Sequence, residues 1–184
     1  MEHSSILNKT LTALGSLMLL MGCSVNQPLE TAKNVSLEKY QGVWYDIAHL
    51  PQKFQDDCRC VTAEYTLKDG FVEVFNTCYN KESGQVSTIT GKATTSTESG
   101  DNSQLQVQFF WPFKGDYYII KIEPNYSYAM VGAPDRESLW ILCREPQPAA
   151  VKLKEYLNLA EELGFNTSNL VYTDQSCYNA KELK

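Results

Sequence analysis

The feature that most constrains this fold is a succession of short segments in which apolar and polar residues alternate. "CVTAEYTL" runs into the turn signal "KDG", "FVEVFNTCYN" follows, and "KESG" leads into "QVSTITGKAT". Alternation with a period of two is typical of a strand that buries one face. The turn signals recur at the spacing of about 8–12 residues that is typical of all-β sandwiches and barrels. The pattern therefore predicts antiparallel strands joined by short turns.

The same pattern continues toward the carboxy terminus. "STESGDNS" precedes "QLQVQFFW", "PFKGD" precedes "YYIIKIEP", and "NYSYAMVGAP" and "SLWILCRE" follow. With the opening strand from Val43 to Ala48, this makes eight strands in meander order. An open meander exposes two strand edges, and closing the sheet on itself removes both. We therefore predict an all-β fold, an eight-stranded antiparallel up-and-down barrel.

After the last strand the hydrophobic period changes to that of a helix. "QPAAVKLKEYLNLAEELGF" has Pro148 at its entry and Gly164 at its exit, which are helix start and stop signals. Its apolar stripe comprises Val151, Tyr156, Leu157, Ala160 and Leu163. This stripe predicts one carboxy-terminal α-helix packed outside the barrel, and "LVYTDQSCY" is expected to form one more extended piece.

Length, charge and cysteine content restrict the function. The 184 residues suit one domain, and a net charge of −6 without a Lys/Arg stripe argues against a nucleic-acid partner. Six cysteines without paired C-x-x-C spacing favour disulfides in an oxidising compartment over a zinc site. We expect no metal and no cofactor.

The amino terminus predicts export and lipidation. The apolar run from Leu11 to Met21 is too short to cross a bilayer as a helix but fits the core of a signal peptide. It ends in "LMGC", which resembles the bacterial lipobox, so Cys23 is expected to carry S-diacylglycerol and an N-palmitoyl group. An ordinary secretory signal with an incidental Cys23 is the alternative. We predict a signal peptide over 1–22, a lipidated amino terminus and polar tether over 23–39, and the barrel with its helix and tail over 40–184.

Several motifs in order resemble the lipocalins. These are Gly42-x-Trp44 on the first strand, eight strands, a carboxy-terminal helix, and "SLWILCR" ending in Arg144. The wording of "GVWYDIAHLP", "WPFKG" and "PDRESLWIL" is similar to the bacterial outer-membrane lipocalins, and "CVTAEY" and "VYTDQSC" are similar to the apolipoprotein D group. The resemblance covers residues 40 to about 178. It implies a lipid-anchored protein of the outer membrane, with Ser24 after the lipidated cysteine typical of that location and the periplasmic face expected.

Closure of the barrel predicts a contact between its first and last strands. These strands become neighbours, so the guanidinium of Arg144 can lie across the indole of Trp44 at a strand start where Gly42 permits close approach. We expect these three residues to seal the narrow end and to bind no ligand.

Alternation of side chains along each strand predicts which residues face the lumen. Trp44 and Arg144 serve as inward anchors, Lys121 as an outward one, polarity assigns the second and fifth strands, and the family resemblance assigns Val131. The predicted lumen residues are Ala48, Ala63, Tyr65, Val107, Phe109, Tyr118, Ile120, Val131 and Trp140.

This lumen is apolar and aromatic, and its small residues favour an open pocket that suits an acyl chain. The resemblance implies fatty acids or lysophospholipids as ligands and a role in membrane maintenance under stress, and homodimers occur in similar lipocalins. Lys53 and Lys114, in loops expected at the mouth, either meet a phosphate or carboxylate or are merely solvated. A structural envelope domain with a filled lumen is the alternative.

The resemblance to the apolipoprotein D group implies a disulfide between Cys60 and Cys177. Cys58 and Cys78 flank the "KDG" turn in adjacent strands, where a cross-strand bridge is feasible. The swapped pairing, Cys60 with Cys78 and Cys58 with Cys177, stays open at this point. Cys143 is then left over and is expected to point outward beneath the helix.

A lipocalin-type enzyme is the less favoured alternative. A nucleophilic Cys–His pair in the mature chain would need Cys143 and His49, because His49 is its one histidine. The two are expected to lie roughly 16 Å apart along the barrel, far beyond the hydrogen-bond reach that base activation requires. We predict a binding protein, not an enzyme.

Overall fold

Nine strands form one antiparallel sheet in the part of the chain that the structure describes, residues 27–96 and 101–178 of a computed structural model. The strands are β1 Gly42–His49, β2 Cys58–Lys68, β3 Phe71–Asn80, β4 Val86–Thr95, β5 Gln104–Phe110, β6 Phe113–Ile122, β7 Tyr128–Gly132, β8 Leu139–Cys143 and β9 Val171–Tyr172. The α-helices are α1 Leu37–Tyr40 and α2 Ala150–Glu162. The predicted signal peptide and Cys23 lie outside the described residues.

The sheet closes into the predicted eight-stranded barrel. Each strand from β2 to β8 pairs with the next, and β1 pairs with both β8 and β2. β2 pairs with β1 only as far as Tyr45, and β9 then pairs with Ala48 and His49 in its place. The expected extended piece near the carboxy terminus is therefore an extra strand outside the barrel. β1 therefore pairs with β2 along its first half and with β8 from Tyr45 onward.

Two apolar layers lie on opposite faces of the barrel wall. One fills the interior at one end and includes Trp44 and Leu105. The other lies between the wall and α2, where Tyr156 and Ala160 are fully buried. The helix therefore packs outside the barrel as predicted, although Val151 of its expected apolar stripe is 84% exposed. Neither α-helix of the described residues combines the length and the apolar character that a membrane span needs.

The part of the predicted polar tether that the structure describes, residues 27–39, lies against the barrel. Leu29 and Val35 are buried against the barrel. The backbone amide of Ala32 donates to the carbonyl of Ile119 at 2.8 Å, and the Ser103 hydroxyl donates to that of Thr31. The apolar residues of this stretch, Leu29, Ala32, Val35 and Leu37, lie two or three positions apart and do not show the sustained alternation of a strand. The docking of this segment depends on grooves that only the folded barrel presents.

The barrel has one closed and one open end. β1 starts at the closed end, which α1 and the side chain of Arg144 cover. Because the strands are antiparallel neighbours, the connections after β1, β3, β5 and β7 all lie at the opposite end, which we call the mouth. These mouth loops cover residues 50–57, 81–85, 111–112 and 133–138.

Candidate ligand-binding cavity

A cavity of about 740 Å³ occupies the barrel interior and reaches the mouth. Its volume lies within the range of about 300–1,000 Å³ that is usual for ligand pockets. Apolar and aromatic side chains form most of its wall. They include Ala63, Tyr65, Val74, Ile89, Val107, Phe109, Val131, Trp140 and Leu142.

The closed end is sealed by Arg144 and Trp44, as predicted from closure. The guanidinium carbon lies 3.8 Å from the centroid of the indole, which is fully buried. The indole N–H donates to the carbonyl of Tyr40 at 2.8 Å. A Cβ at Gly42 would lie 3.4 Å from the guanidinium, and its φ of +91° is one that glycine adopts readily.

The same guanidinium also satisfies backbone groups at the closed end. The last carbonyls of a helix have no partner within it, and those of α1 lie directly against Arg144. Its nitrogens donate over 2.7–3.3 Å to the carbonyl oxygens of Lys39, Tyr40, Gln41, Val43 and Tyr126. Burial lowers the pKa of Arg144 from its usual value. The side chain of Arg144 therefore stabilises the closed end of the barrel, at the opposite end from the mouth.

Three tyrosine hydroxyls form the polar floor of the cavity. Tyr117 shares hydrogen bonds with Tyr40 at 2.8 Å and with Tyr65 at 2.7 Å. Burial raises the pKa of all three, that of Tyr65 to about 12. Tyr65 and Tyr117 line the cavity, so its floor presents neutral phenols at physiological pH.

A buried polar cluster holds one wall of the cavity. Asp46 lies 2.9 Å from Nδ1 of His49 and accepts a hydrogen bond from the side-chain amide of Gln55. Gln55 in turn accepts from the indole N–H of Trp140 at 3.3 Å. Asp46, His49 and Gln55 are all buried. Because the mouth loop supplies Gln55, this cluster ties that loop to the wall and orients the Trp140 ring.

Six of the predicted lumen residues line this cavity. Polarity assigns the four on β2 and β5, the inward anchor Arg144 assigns the one on β8, and the family resemblance assigns the one on β7. They are Ala63, Tyr65, Val107, Phe109, Val131 and Trp140.

Ala48, Tyr118 and Ile120 do not face the lumen. All three pack in the layer between the barrel wall and α2. A bulge between Asp46 and Ala48 shifts the register of β1 against β8, so counting in twos from Trp44 gives the wrong face beyond Asp46.

A second bulge, between Ile119 and Lys121, shifts β6 against β7. Lys121 faces outward as predicted and pairs with Glu155 of α2 at 2.5 Å, but the irregularity reverses the parity for the residues before it. Tyr117 and Ile119 therefore lie in the interior layer, where sequence reasoning placed Tyr118 and Ile120.

Two disulfides staple the mouth side of the barrel. Cys58 bonds to Cys78, and Cys60 bonds to Cys177, so the swapped pairing does not occur. Cys143 is a buried free thiol whose pKa is raised by burial. Its backbone pairs with that of Tyr45, four residues before His49 on β1.

Exposed aromatic side chains surround the mouth, which sequence reasoning did not predict. Phe54 is 73% exposed, and Phe110, Trp111 and Phe113 are 69%, 86% and 77% exposed. Phe54, Phe110 and Phe113 contact the cavity opening, and Lys114 lies beside them. The cluster "FFWPF" at a turn is the signal in the sequence that points to this rim.

Comparison with known proteins supplies the family. A family model described as a lipocalin-like domain matches residues 35–175. The chain belongs to the lipocalin family. Its barrel is the lipocalin ligand-binding architecture, and the cavity described above occupies the lipocalin lumen.

Bacterial and plant lipocalins resemble this one over most of their length. It is 36% identical to "Outer membrane lipoprotein Blc" of Vibrio cholerae serotype O1, covering 86% of this chain and 94% of the relative. It is 35% identical to the protein of that name from Escherichia coli K12, over 85% and 90% of the two chains. "Temperature-induced lipocalin-1" of Arabidopsis thaliana is 35% identical, over 80% and 83%.

Solved lipocalin structures share the fold. Insecticyanin from the tobacco hornworm Manduca sexta superposes with a TM-score of 0.63 at 16% identity, covering 80% of this chain and 85% of the other. Lobster apocrustacyanin A1 gives 0.61 at 21% identity, over 75% and 78%. At these identities the likeness concerns architecture alone.

Proposed function

We propose that this lipocalin binds single-chain amphiphiles, fatty acids or lysophospholipids, in its lumen and stores or transports them at the outer membrane. The observation that carries the proposal is the cavity of about 740 Å³, walled by apolar and aromatic side chains and open at one end. Burying an acyl chain there gains about 0.8 kcal/mol per methylene group. Burial of the acyl chain would then provide the affinity without any covalent reaction of the ligand.

The position of the polar groups supports an orientation for such a ligand. The floor carries neutral phenols and Asp46 lies in the wall, and among the described residues that line the cavity the only Lys or Arg is Lys114. At the mouth, Lys114 borders the opening. The acyl chain therefore enters first, and the head group stays beside Lys114.

The predicted acyl anchor at Cys23 and the names of the relatives support the location. Three proteins at 33–36% identity, two of them cited above, are named outer membrane lipoproteins. We therefore infer that this chain is also anchored to the outer membrane, and we propose that it lies on the periplasmic face. The name of the Arabidopsis relative, a temperature-induced lipocalin, supports a role in membrane maintenance under stress.

The test is a titration of a soluble chain that starts at Ser24 with lysophosphatidylcholine, read by tryptophan fluorescence. Trp140 lines the cavity, so binding is expected to shift or quench its emission saturably. Trp140→Phe keeps an aromatic ring and is expected to bind while losing the signal. Trp140→Glu places a charge in the lumen and is expected to weaken binding at least tenfold with a β-rich far-UV spectrum retained.

Mass spectrometry of lipids that co-purify with the envelope form identifies the natural ligand. The proposal fails if no amphiphile co-purifies and if titration gives no saturable change in the wild-type emission. It also fails if Trp140→Glu binds as tightly as the wild type.

A further inference from the structure

The exposed aromatic side chains of this lipocalin are concentrated at the mouth. Phe54 lies on the loop after β1, and Phe110, Trp111 and Phe113 form the turn between β5 and β6. Each is more than two-thirds exposed. Soluble domains rarely present such a patch unless it meets a partner or a membrane. The rim therefore needs an apolar neighbour beyond the ligand.

The path of the amino-terminal segment shows where the chain leaves the barrel. From α1 at the closed end it runs backward along the outside of the wall, past Ile119, to Gln27. The carbonyl of Gln27 accepts a hydrogen bond at 2.7 Å from Arg136, which lies on the mouth loop between β7 and β8. The described chain thus begins at the mouth and not at the closed end.

The predicted acylated residue, Cys23, lies four positions before Gln27. An extended chain covers at most about 3.6 Å per residue, so the backbone of Cys23 lies within about 14 Å of Gln27. A bilayer that holds the acyl groups of Cys23 is therefore close to the loop between β7 and β8, one of the mouth loops.

We propose that the mouth faces the bilayer and that Trp111 and the neighbouring phenylalanines insert at the level of the lipid head groups. This rests on the proposed function, since the anchor at Cys23 belongs to it. Aromatic rings, Trp above all, are favoured at that depth because they present an apolar body to the boundary of the acyl region. The several acyl chains expected on Cys23 hold the protein at the bilayer firmly, and contacts at the rim would fix its orientation there.

The charges near the mouth argue that aromatic burial and not net charge drives docking. Lys53 and Lys114 are matched by Asp56, Asp57 and Asp116 in the same loops and strand ends. Docking is therefore expected to depend little on salt or on the content of anionic lipid. In this orientation the cavity opens onto the membrane surface, and an amphiphile passes between bilayer and lumen without crossing water.

The experiment uses the full acylated chain in vesicles of phosphatidylethanolamine and phosphatidylglycerol, with and without a phosphatidylcholine brominated at acyl carbons 6 and 7. Bromine quenches tryptophan only at close range. Trp111→Phe removes the reporter from the rim and leaves Trp44 and Trp140 as background. Trp111→Phe combined with Val151→Trp moves the reporter to the start of α2 on the closed-end side, where Val151 is 84% exposed against 86% for Trp111.

We expect brominated lipid to quench the emission assigned to Trp111 at least twofold, at low and at high salt, and to leave the reporter at position 151 unchanged. Equal quenching of the wild type and Trp111→Phe would overturn the proposal, as would preferential quenching at position 151. A Trp111 shielded from acrylamide but not quenched by bromine, in a protein that sediments as a dimer, would assign the rim to a second copy. An unmodified Cys23 in the intact mass would also overturn it.

The outcome is separable from that of the proposed function. If Trp111 is not quenched while lysophosphatidylcholine still shifts Trp140, the orientation is wrong and the lumen function stands. If Trp111 is quenched while no amphiphile binds, the chain docks mouth-down without the ligand function.

Discussion

A single side chain, Arg144, joins three parts of the closed end. It stacks on Trp44 of β1, caps the last carbonyls of α1, and bonds to the loop between β6 and β7. A planar guanidinium can do this because it offers five N–H donors in a fixed fork and a flat face for the indole. A lysine ammonium carries the same charge but has no flat face to stack on the indole and only three N–H donors.

Arg144→Lys is therefore expected to lower the free energy of unfolding by about 2–3 kcal/mol. A hydrogen bond from a charged donor contributes about 1.5–3 kcal/mol, and a cation–π contact contributes about 0.5–2 kcal/mol. Urea unfolding measures the change, and the affinity for lysophosphatidylcholine is expected to stay the same because the seal lies below the cavity floor.

A double-mutant cycle with Trp44→Phe separates the two contributions of Arg144. Coupling between the sites reports the stacking, and the part of the loss that persists without the indole reports the bonds to carbonyls. A lysine variant as stable as the wild type would show that water satisfies those carbonyls equally well.

At the scale of strands, the lumen is shaped by a close approach between β4 and β5. Gly91 lies beside the ring of Phe109, and a Cβ at that position would stand 2.6 Å from the ring and 2.9 Å from the carbonyl of Gln108. Absence of a side chain at Gly91 lets the ring lie against the wall instead of across the cavity. Phe109 lines the lumen, so this pair helps to set its width.

Gly91→Ala is expected to destabilise the barrel by about 1–3 kcal/mol, the usual cost of overpacking, and to weaken amphiphile binding by turning the ring into the lumen. Thermal unfolding and the Trp140 titration measure the two effects. Gly115→Ala is the matched control, because a Cβ there meets nothing within 4 Å and it should change neither. Adding Phe109→Leu should restore part of both losses, and a Gly91→Ala protein that behaves as the wild type would contradict this account.

Irregularities in the strands also explain which lumen residues were assigned incorrectly from the sequence. Ala63, Tyr65, Val107, Phe109 and Trp140 were assignable from alternation because a strand side chain repeats every second residue, whereas Val131 was assigned from the family resemblance. Ala48 was misassigned because a bulge separates it from its anchor, Trp44. Ile120 was misassigned because it lies within the bulge next to its anchor, Lys121. Bulges carry no sequence signature here, and they arise where a closing barrel bends.

At the scale of the whole molecule, two disulfides hold the described carboxy-terminal segment and the mouth to the barrel. Cys60–Cys177 closes a loop with a sequence separation of 117, whereas Cys58–Cys78 has a separation of 20. The first ties β9 and the residues after it to β2, where β2 turns away from β1. In the chain-entropy model the longer loop restricts the unfolded chain more.

Replacing Cys60 and Cys177 by Ser is expected to lower stability by about 4–5 kcal/mol, and the same change at Cys58 and Cys78 by about 3 kcal/mol. Urea unfolding under oxidising conditions gives both values. The first loss is expected to be the larger because the stabilisation grows with the length of the closed loop. A larger loss at Cys58 and Cys78 would show that native contacts of that hairpin, and not loop closure, dominate.

Local pattern in the sequence determined the number and order of the strands, the outer helix and the residues that close the barrel, because alternation, turn residues and helix stops act over a few neighbours. The cavity's inward faces followed wherever a strand is regular. Only the tertiary structure decided the bulges in β1 and β6, the docking of residues 27–39, the tyrosine floor and the contact of Gln27 with Arg136 on the loop between β7 and β8. Each of these depends on segments far apart in the chain, which closure of the barrel brings to the same place.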